Sequence, residues 1–152
     1  MAVNKPKALH LLSTAFTEIP FNHMLGLKLD HLGENHVIMN FSMKNDLIGN
    51  FMHGILHGGV ISSVLDMAGG MLVMATTIEK HPDASLEELG ELVTKCRTVD
   101  LHVSYLNPGK GERFYAKSWL VKRGNTVSFT RMELLNQEDA LIATATGTYM
   151  LR

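Results

Sequence analysis

The sequence predicts an α+β fold in which a curved antiparallel sheet wraps one long central helix. Three observations carry that prediction. Residues 57–79 are apolar nearly all the way round a helix, the mark of a helix buried on several sides. From Val99 to Leu151 the chain reads as four alternating strand segments separated by short turns. A further alternating pair precedes the helix. A sheet wrapped on one helix leaves strand edges open, so a homodimer or a homotetramer built from such dimers is expected.

Taken in order, Ala8, Leu11, Leu12, Ala15 and Phe16 recur at helical spacing, and Pro20 is expected to end that helix. Leu25–Leu32 alternates as a strand, Gly33-Glu34-Asn35 turns the chain, and His36–Met43 alternates again, which predicts a hairpin. Lys44 to His53 reads as a loop. After the long helix, His81-Pro82-Asp83 breaks the pattern, and Ser85-Leu86-Glu87-Glu88 has the form of a capping box opening a second helix. The strand segments Val99–Leu106, Glu112–Lys122, Thr126–Leu135 and Ala140–Leu151 then predict a four-strand meander. Asn107 to Gly111, Arg123-Gly124-Asn125 and Asn136 to Asp139 supply its turns.

With 152 residues, 45% hydrophobic and 19% charged, the chain fits one globular domain over residues 1–152. A net charge of −1 argues against nucleic acid as a partner. The lone Cys96 allows no internal disulfide, so a reducing, cytoplasmic setting is expected. The N-terminus lacks the long apolar core of a signal peptide. Residues 58–78 are long enough to cross a membrane, but Asp66 near the middle would oppose insertion by about 2.5–3.5 kcal/mol. A buried core helix is the expectation.

The chemistry concentrates at His57-Gly58-Gly59 and at Asp66, the only charge in the apolar run. The helix start presents open N–H groups and the positive end of the helix dipole, a place for an oxyanion. A carboxylate on a buried helix is costly unless something receives it. That pairing points to chemistry, although Asp66 could instead cap backbone groups. His57 reads better as a structural group holding the loop than as a proton shuttle. His53 and His57 lack the Glu of a metal-binding H-E-x-x-H helix, so no metal is expected. Ser62 and Ser63 lack the nucleophile elbow of a serine hydrolase. Cys96 reads as a packing residue. Lys110, Arg113, Lys117, Lys122 and Arg123 read as a solvated face, some of which could meet phosphates. Met67, Met71 and Met74 fit either a plain core or an adaptable pocket for a flexible chain.

His57-Gly58-Gly59, six residues and Asp66 resemble the signature of hotdog-fold acyl-CoA thioesterases of the PaaI type. The run Val99-Asp100, four residues, Tyr105-Leu106-Asn107-Pro108 resembles that family's strand after the helix. Within it, the chain is most similar to the YigI-type bacterial branch, through its Gly49-Asn50 loop and its Arg-Gly-Asn hairpin. The resemblance implies a hotdog fold, and the helical insert at 82–97 departs from the family pattern in being longer than the usual link. It implies hydrolysis of acyl-CoA to free acid and CoA, with no cofactor beyond the coenzyme A of the substrate. Asp66 would be nucleophile or general base, and the Gly58 N–H would polarise the thioester carbonyl. Asn50 and Thr98 would orient carbonyl or water, and His57 would complete the catalytic set. Gly59, Ser62 and Met67 would contact substrate, and the site would combine two chains.

The branch and the methionines favour medium- to long-chain fatty acyl-CoA. The alternatives are aryl- or phenylacetyl-CoA hydrolysis, a hydratase or dehydratase on the same fold, and an acyl-CoA-binding module without turnover.

Overall fold

A computed structural model describes residues 5–33 and 35–151. The helix α1 (Lys5–Thr17) is followed by α2 (Pro20–Leu25), β1 (Lys28–Leu32) and β2 (His36–Ser42). A 3-10 turn (Asn45–Leu47), β3 (Ile48–Asn50) and β4 (Ile55–Leu56) lead into α3 (Gly58–Lys80). Then come α4 (Leu86–Thr94), β5 (Cys96–Tyr105), β6 (Arg113–Arg123), β7 (Val127–Asn136) and β8 (Leu141–Leu151). The main sheet is antiparallel, in the order β1-β2-β6-β7-β8-β5.

Alternation sets which face of each strand meets α3. Val37, Met39 and Phe41 of β2, Phe114 and Ala116 of β6, and Met132 and Leu134 of β7 are buried. On β8 the inward residues are Ala143, Ala145, Gly147 and Tyr149. Three of those four are small, so α3 approaches closely there with its own Ala68, Gly69 and Gly70, all buried. Ser118 of β6 donates to the Ala68 carbonyl at 2.9 Å, fixing helix to sheet inside the core. At the other end of α3, Arg123 donates to the Thr76 carbonyl and Lys80 Nζ to the Gly124 carbonyl, cations that complement the helix C-terminus. The helix is long and apolar enough to cross a membrane, yet the sheet and the flanking helices bury it as a core element.

Several expectations hold and several are corrected. The capping box of α4 is complete: Glu88 N–H donates to Ser85 Oγ, and Ser85 N–H to Glu88 Oε2 at 2.7 Å. The hairpin of β1 and β2 forms, with Glu34 of its turn outside the described residues. Pro20, expected only to end a helix, opens α2 at the position where a missing N–H does no harm. Leu25 therefore belongs to that helix and not to a strand. Gly26, at φ 69°, closes α2 in the left-handed conformation, and β1 starts only at Lys28.

The expected loop 44–53 contains the 3-10 turn and half of the β3–β4 hairpin. Its residues are too few for a periodicity to show. The predicted four-strand meander is a three-strand one. β5 pairs with β8 at the far edge, and only β6-β7-β8 run consecutively. Asn107 to Gly111 is thus a crossover, tied down by Leu106 and Asn107 N–H on the Ile142 carbonyl and by Leu56 N–H on the Gly109 carbonyl.

Candidate active site

Asp66 lies two turns into α3, half-buried, facing the first residues of β5. Thr98 Oγ1 donates to its Oδ1 at 2.9 Å. The Tyr149 hydroxyl lies 3.1 Å from the same Oδ1 and 3.1 Å from the Asp66 carbonyl oxygen. Both hydroxyls fix one carboxylate oxygen, and among the described residues no donor reaches Oδ2. Oδ2 is the atom free to meet a water or a substrate carbon.

Sequence reasoning passed over Tyr149. Its ring is 1% exposed, and it occupies space that glycines leave open. A Cβ on Gly69 would fall 2.2 Å from the Tyr149 hydroxyl, and one on Gly147 would fall 2.8 Å from the ring. Burial, and after it the charge of Asp66, pushes the phenol pKa far upward, so Tyr149 stays protonated and keeps its proton directed at the carboxylate. A signal existed in the sequence. A tyrosine at the inward position of a strand otherwise lined with alanine and glycine needs an acceptor for its hydroxyl. Asp66 is the one carboxylate in the apolar body of the helix. Cys96 stands beside the same carboxylate, and burial, with the charge of Asp66 second, raises its thiol to about 11. It is a neutral wall group, as expected.

The helix start is a separate cluster. His57 caps α3: its Nδ1 accepts from Gly59 N–H at 2.8 Å. The structural reading of His57 therefore fits the geometry, and the Gly59 N–H is already engaged. Gly58 N–H makes no hydrogen bond among the described residues. The Tyr105 hydroxyl donates to the Gly58 carbonyl at 3.3 Å, and a Cβ on Gly49 would meet the backbone of His57 at 2.5 Å. These contacts hold the turn in place. Asn50 sits at the β3–β4 hairpin, where its Oδ1 accepts from Met52 N–H at 3.1 Å. Ser62 Oγ donates back to the Gly59 carbonyl at 3.1 Å.

Asp66, Thr98 and Met67 are thus brought together around a cavity of about 110 Å³. Gly58, Gly59, His57, Asn50 and Ser62 gather at the other end. Gly58 and Asp66 are eight residues apart on one helix, about 12 Å along its axis.

A helix with one received carboxylate, wrapped by this sheet order, defines a class. The Thioesterase superfamily model matches residues 53–143, and the chain belongs to that superfamily. It is 41% identical over 146 residues to the medium/long-chain acyl-CoA thioesterase YigI of Escherichia coli K12, covering 95% of this chain and 94% of that protein. A Shewanella oneidensis protein described as related to the thioesterase superfamily superposes with a TM-score of 0.92 at 37% identity, over 97% of each chain. Escherichia coli PaaI, from the phenylacetic acid degradation operon, shares the fold: TM-score 0.78 at 15% identity, over 97% of this chain and 95% of that one.

Proposed function

We propose that this protein hydrolyses medium- to long-chain fatty acyl-CoA to free acid and CoA, with Asp66 as the group that drives the chemistry. The observation that carries this reading is the Asp66 carboxylate, held through Oδ1 by Thr98 and Tyr149 with Oδ2 left free. The similarity to YigI supports the substrate class.

Oδ2 would take a proton from a water attacking the thioester carbonyl carbon, or attack that carbon itself and leave an anhydride for water to open. Either way the carbonyl oxygen gains negative charge, and the C–S bond breaks as CoA departs as thiolate. The unengaged Gly58 N–H, at the positive end of α3, is the natural donor to that oxygen, a contribution of about 2.7–4 kcal/mol for donors of this kind. His57 would keep that turn rigid. Asn50 and Ser62 stand at the same end to orient substrate, and Gly59 would contribute close backbone approach.

One carbonyl cannot touch Oδ2 and Gly58 N–H of the same helix across about 12 Å. We therefore read the working unit as a homodimer in which Asp66 of one chain faces Gly58 of another. The outer edge of β5 has no strand partner among the described residues, and Val99 is 52% exposed on it. That edge offers a way to continue the sheet into a second copy.

A thiol-release assay over acyl-CoA from acetyl to stearoyl, with aryl-CoA beside them, tests the reading. Hydration of an enoyl thioester would release no thiol, so the same assay separates it from hydrolysis. Rapid release from fatty acyl-CoA that Asp66→Asn abolishes is expected. Binding without release, or release that Asp66→Asn leaves intact, would contradict it.

A further inference from the structure

We propose that the acyl chain lies in an apolar groove running from Asp66 along α3, beneath α1 and α4, and that the groove's far end sets the chain length accepted. This rests on the acyl-CoA reading above.

The groove is three contiguous hollows. The first is the 110 Å³ cavity at Asp66, walled by Met67, Gly70, Met74, Phe16 and Cys96. The second, of about 330 Å³, shares Phe16, Met74 and Cys96 with it and adds Leu12, Ala15 and Val93. The third, of about 260 Å³, shares Leu12, Ala15 and Val93 and ends against Ile78, Leu89 and Gly90. On α3 the floor residues are Met67, Gly70, Met74 and Ile78, spaced by three, four and four, which is one straight stripe of a helix. α1 forms one wall; α4 and the start of β5 form the other.

Polarity falls along the path. The first hollow holds Asp66, Arg97, Thr98 and Tyr149, the second only Thr94 and Cys96, and the third is lined by apolar residues alone. A polar ligand would find no partners at the far end. A hydrocarbon tail attached to a carbonyl at Asp66 matches the gradient throughout. The apolar face of α4 also has a use here. Leu89 packs into the core, while Leu86, 41% exposed, and Gly90 border the third hollow.

From Met67 to Ile78 the stripe is eleven residues, about 17 Å of helix. An extended alkyl chain advances about 1.25 Å per carbon at ordinary bond lengths. The groove therefore takes about 13 carbons. While the tail still has groove to enter, each methylene should raise kcat/KM by roughly fourfold, the transfer value of a buried CH₂. Beyond dodecanoyl- to tetradecanoyl-CoA the gain should stop.

Gly90 is the residue to test, because it lines the third hollow and a Cβ there meets no atom within 4 Å, which leaves room for a large side chain at that end. In Gly90→Phe the ratio of kcat/KM for tetradecanoyl-CoA to that for hexanoyl-CoA should fall at least about tenfold. An unchanged ratio overturns the groove. So does a lowered ratio that comes with a changed oligomeric mass, which would make the groove a contact between copies.

A second measurement uses the unmodified protein: a non-hydrolysable acyl-CoA thioether with a terminal diazirine, photolysed and mapped by mass spectrometry. Label on α1, α4 or the Met74–Ile78 segment is expected, and label confined elsewhere contradicts the proposal. If the wild-type protein releases no thiol from any acyl-CoA, the functional reading fails. Release with an unmoved ratio and misplaced label fails the groove alone.

Discussion

Two hydroxyls converge on one oxygen of Asp66, and each makes a separable contribution. Hydrogen bonds to a charged group are worth about 1.5–3 kcal/mol. Tyr149→Phe keeps the buried ring and removes only the donor. Its kcat should fall about tenfold or more while KM stays within about twofold, because the carboxylate loses its fixed direction and the binding surface is untouched. Steady-state kinetics on refolded-checked protein decides this, and an equal loss in KM would make Tyr149 a substrate contact instead.

Cys96 gives a second test at this scale. Its thiol ionises near 11 in the fold, against 9.0 for an unperturbed one, because burial and then the charge of Asp66 oppose the thiolate. The group's folded pKa is raised, so the proton is held over that whole interval. Alkylation by iodoacetamide at pH 8 should be about a hundredfold slower in the native protein than in the denatured chain, with a midpoint near 11.

Among the elements, α4 owes its start to the Ser85–Glu88 box and its position to Leu89. Ser85→Ala should cost about 1 kcal/mol, read as a Tm lower by about 2–4 °C for a chain of this size. A change in Tm below one degree would mean that packing alone holds α4.

The capping box was legible because its signal lies within four residues. So was α3, whose apolar run has no other reading at that length. The β3–β4 hairpin escaped for the opposite reason: strands of three and two residues carry no period. The place of β5 escaped because alternation fixes which face a strand buries and says nothing of which strand lies beside it. A turn as strong as Asn107-Pro108-Gly109 suits a crossover as well as a hairpin. Tyr149 stood out by its place among alanine and glycine, but that its acceptor is Asp66 follows only from the packing of β8 on α3 at Gly69 and Gly147.

For the whole molecule, the decisive length is that of α3 between its first N–H and its acid. Eight residues keep Gly58 and Asp66 about 12 Å apart, so the site proposed above would need two copies of the chain. Each half can be disabled alone. Asp66→Asn removes the proposed base or nucleophile. Gly58→Pro removes the N–H at a helix position where proline is well tolerated, and His57 before it already has the extended conformation proline demands, at φ −65° and ψ 137°. Gly58→Ala is the control that keeps the N–H. On its own, each disabling variant should lose more than about a hundredfold in kcat.

The most direct measurement is to co-express Asp66→Asn and Gly58→Pro chains under separate tags and assay thiol release from dodecanoyl-CoA. Random pairing makes half the dimers mixed, and each mixed dimer holds one intact site of two. Activity should therefore return to roughly a quarter of the wild-type value. Sites formed within single chains would leave the mixture as inactive as its parts, and that result would contradict a shared site built on Asp66 and Gly58.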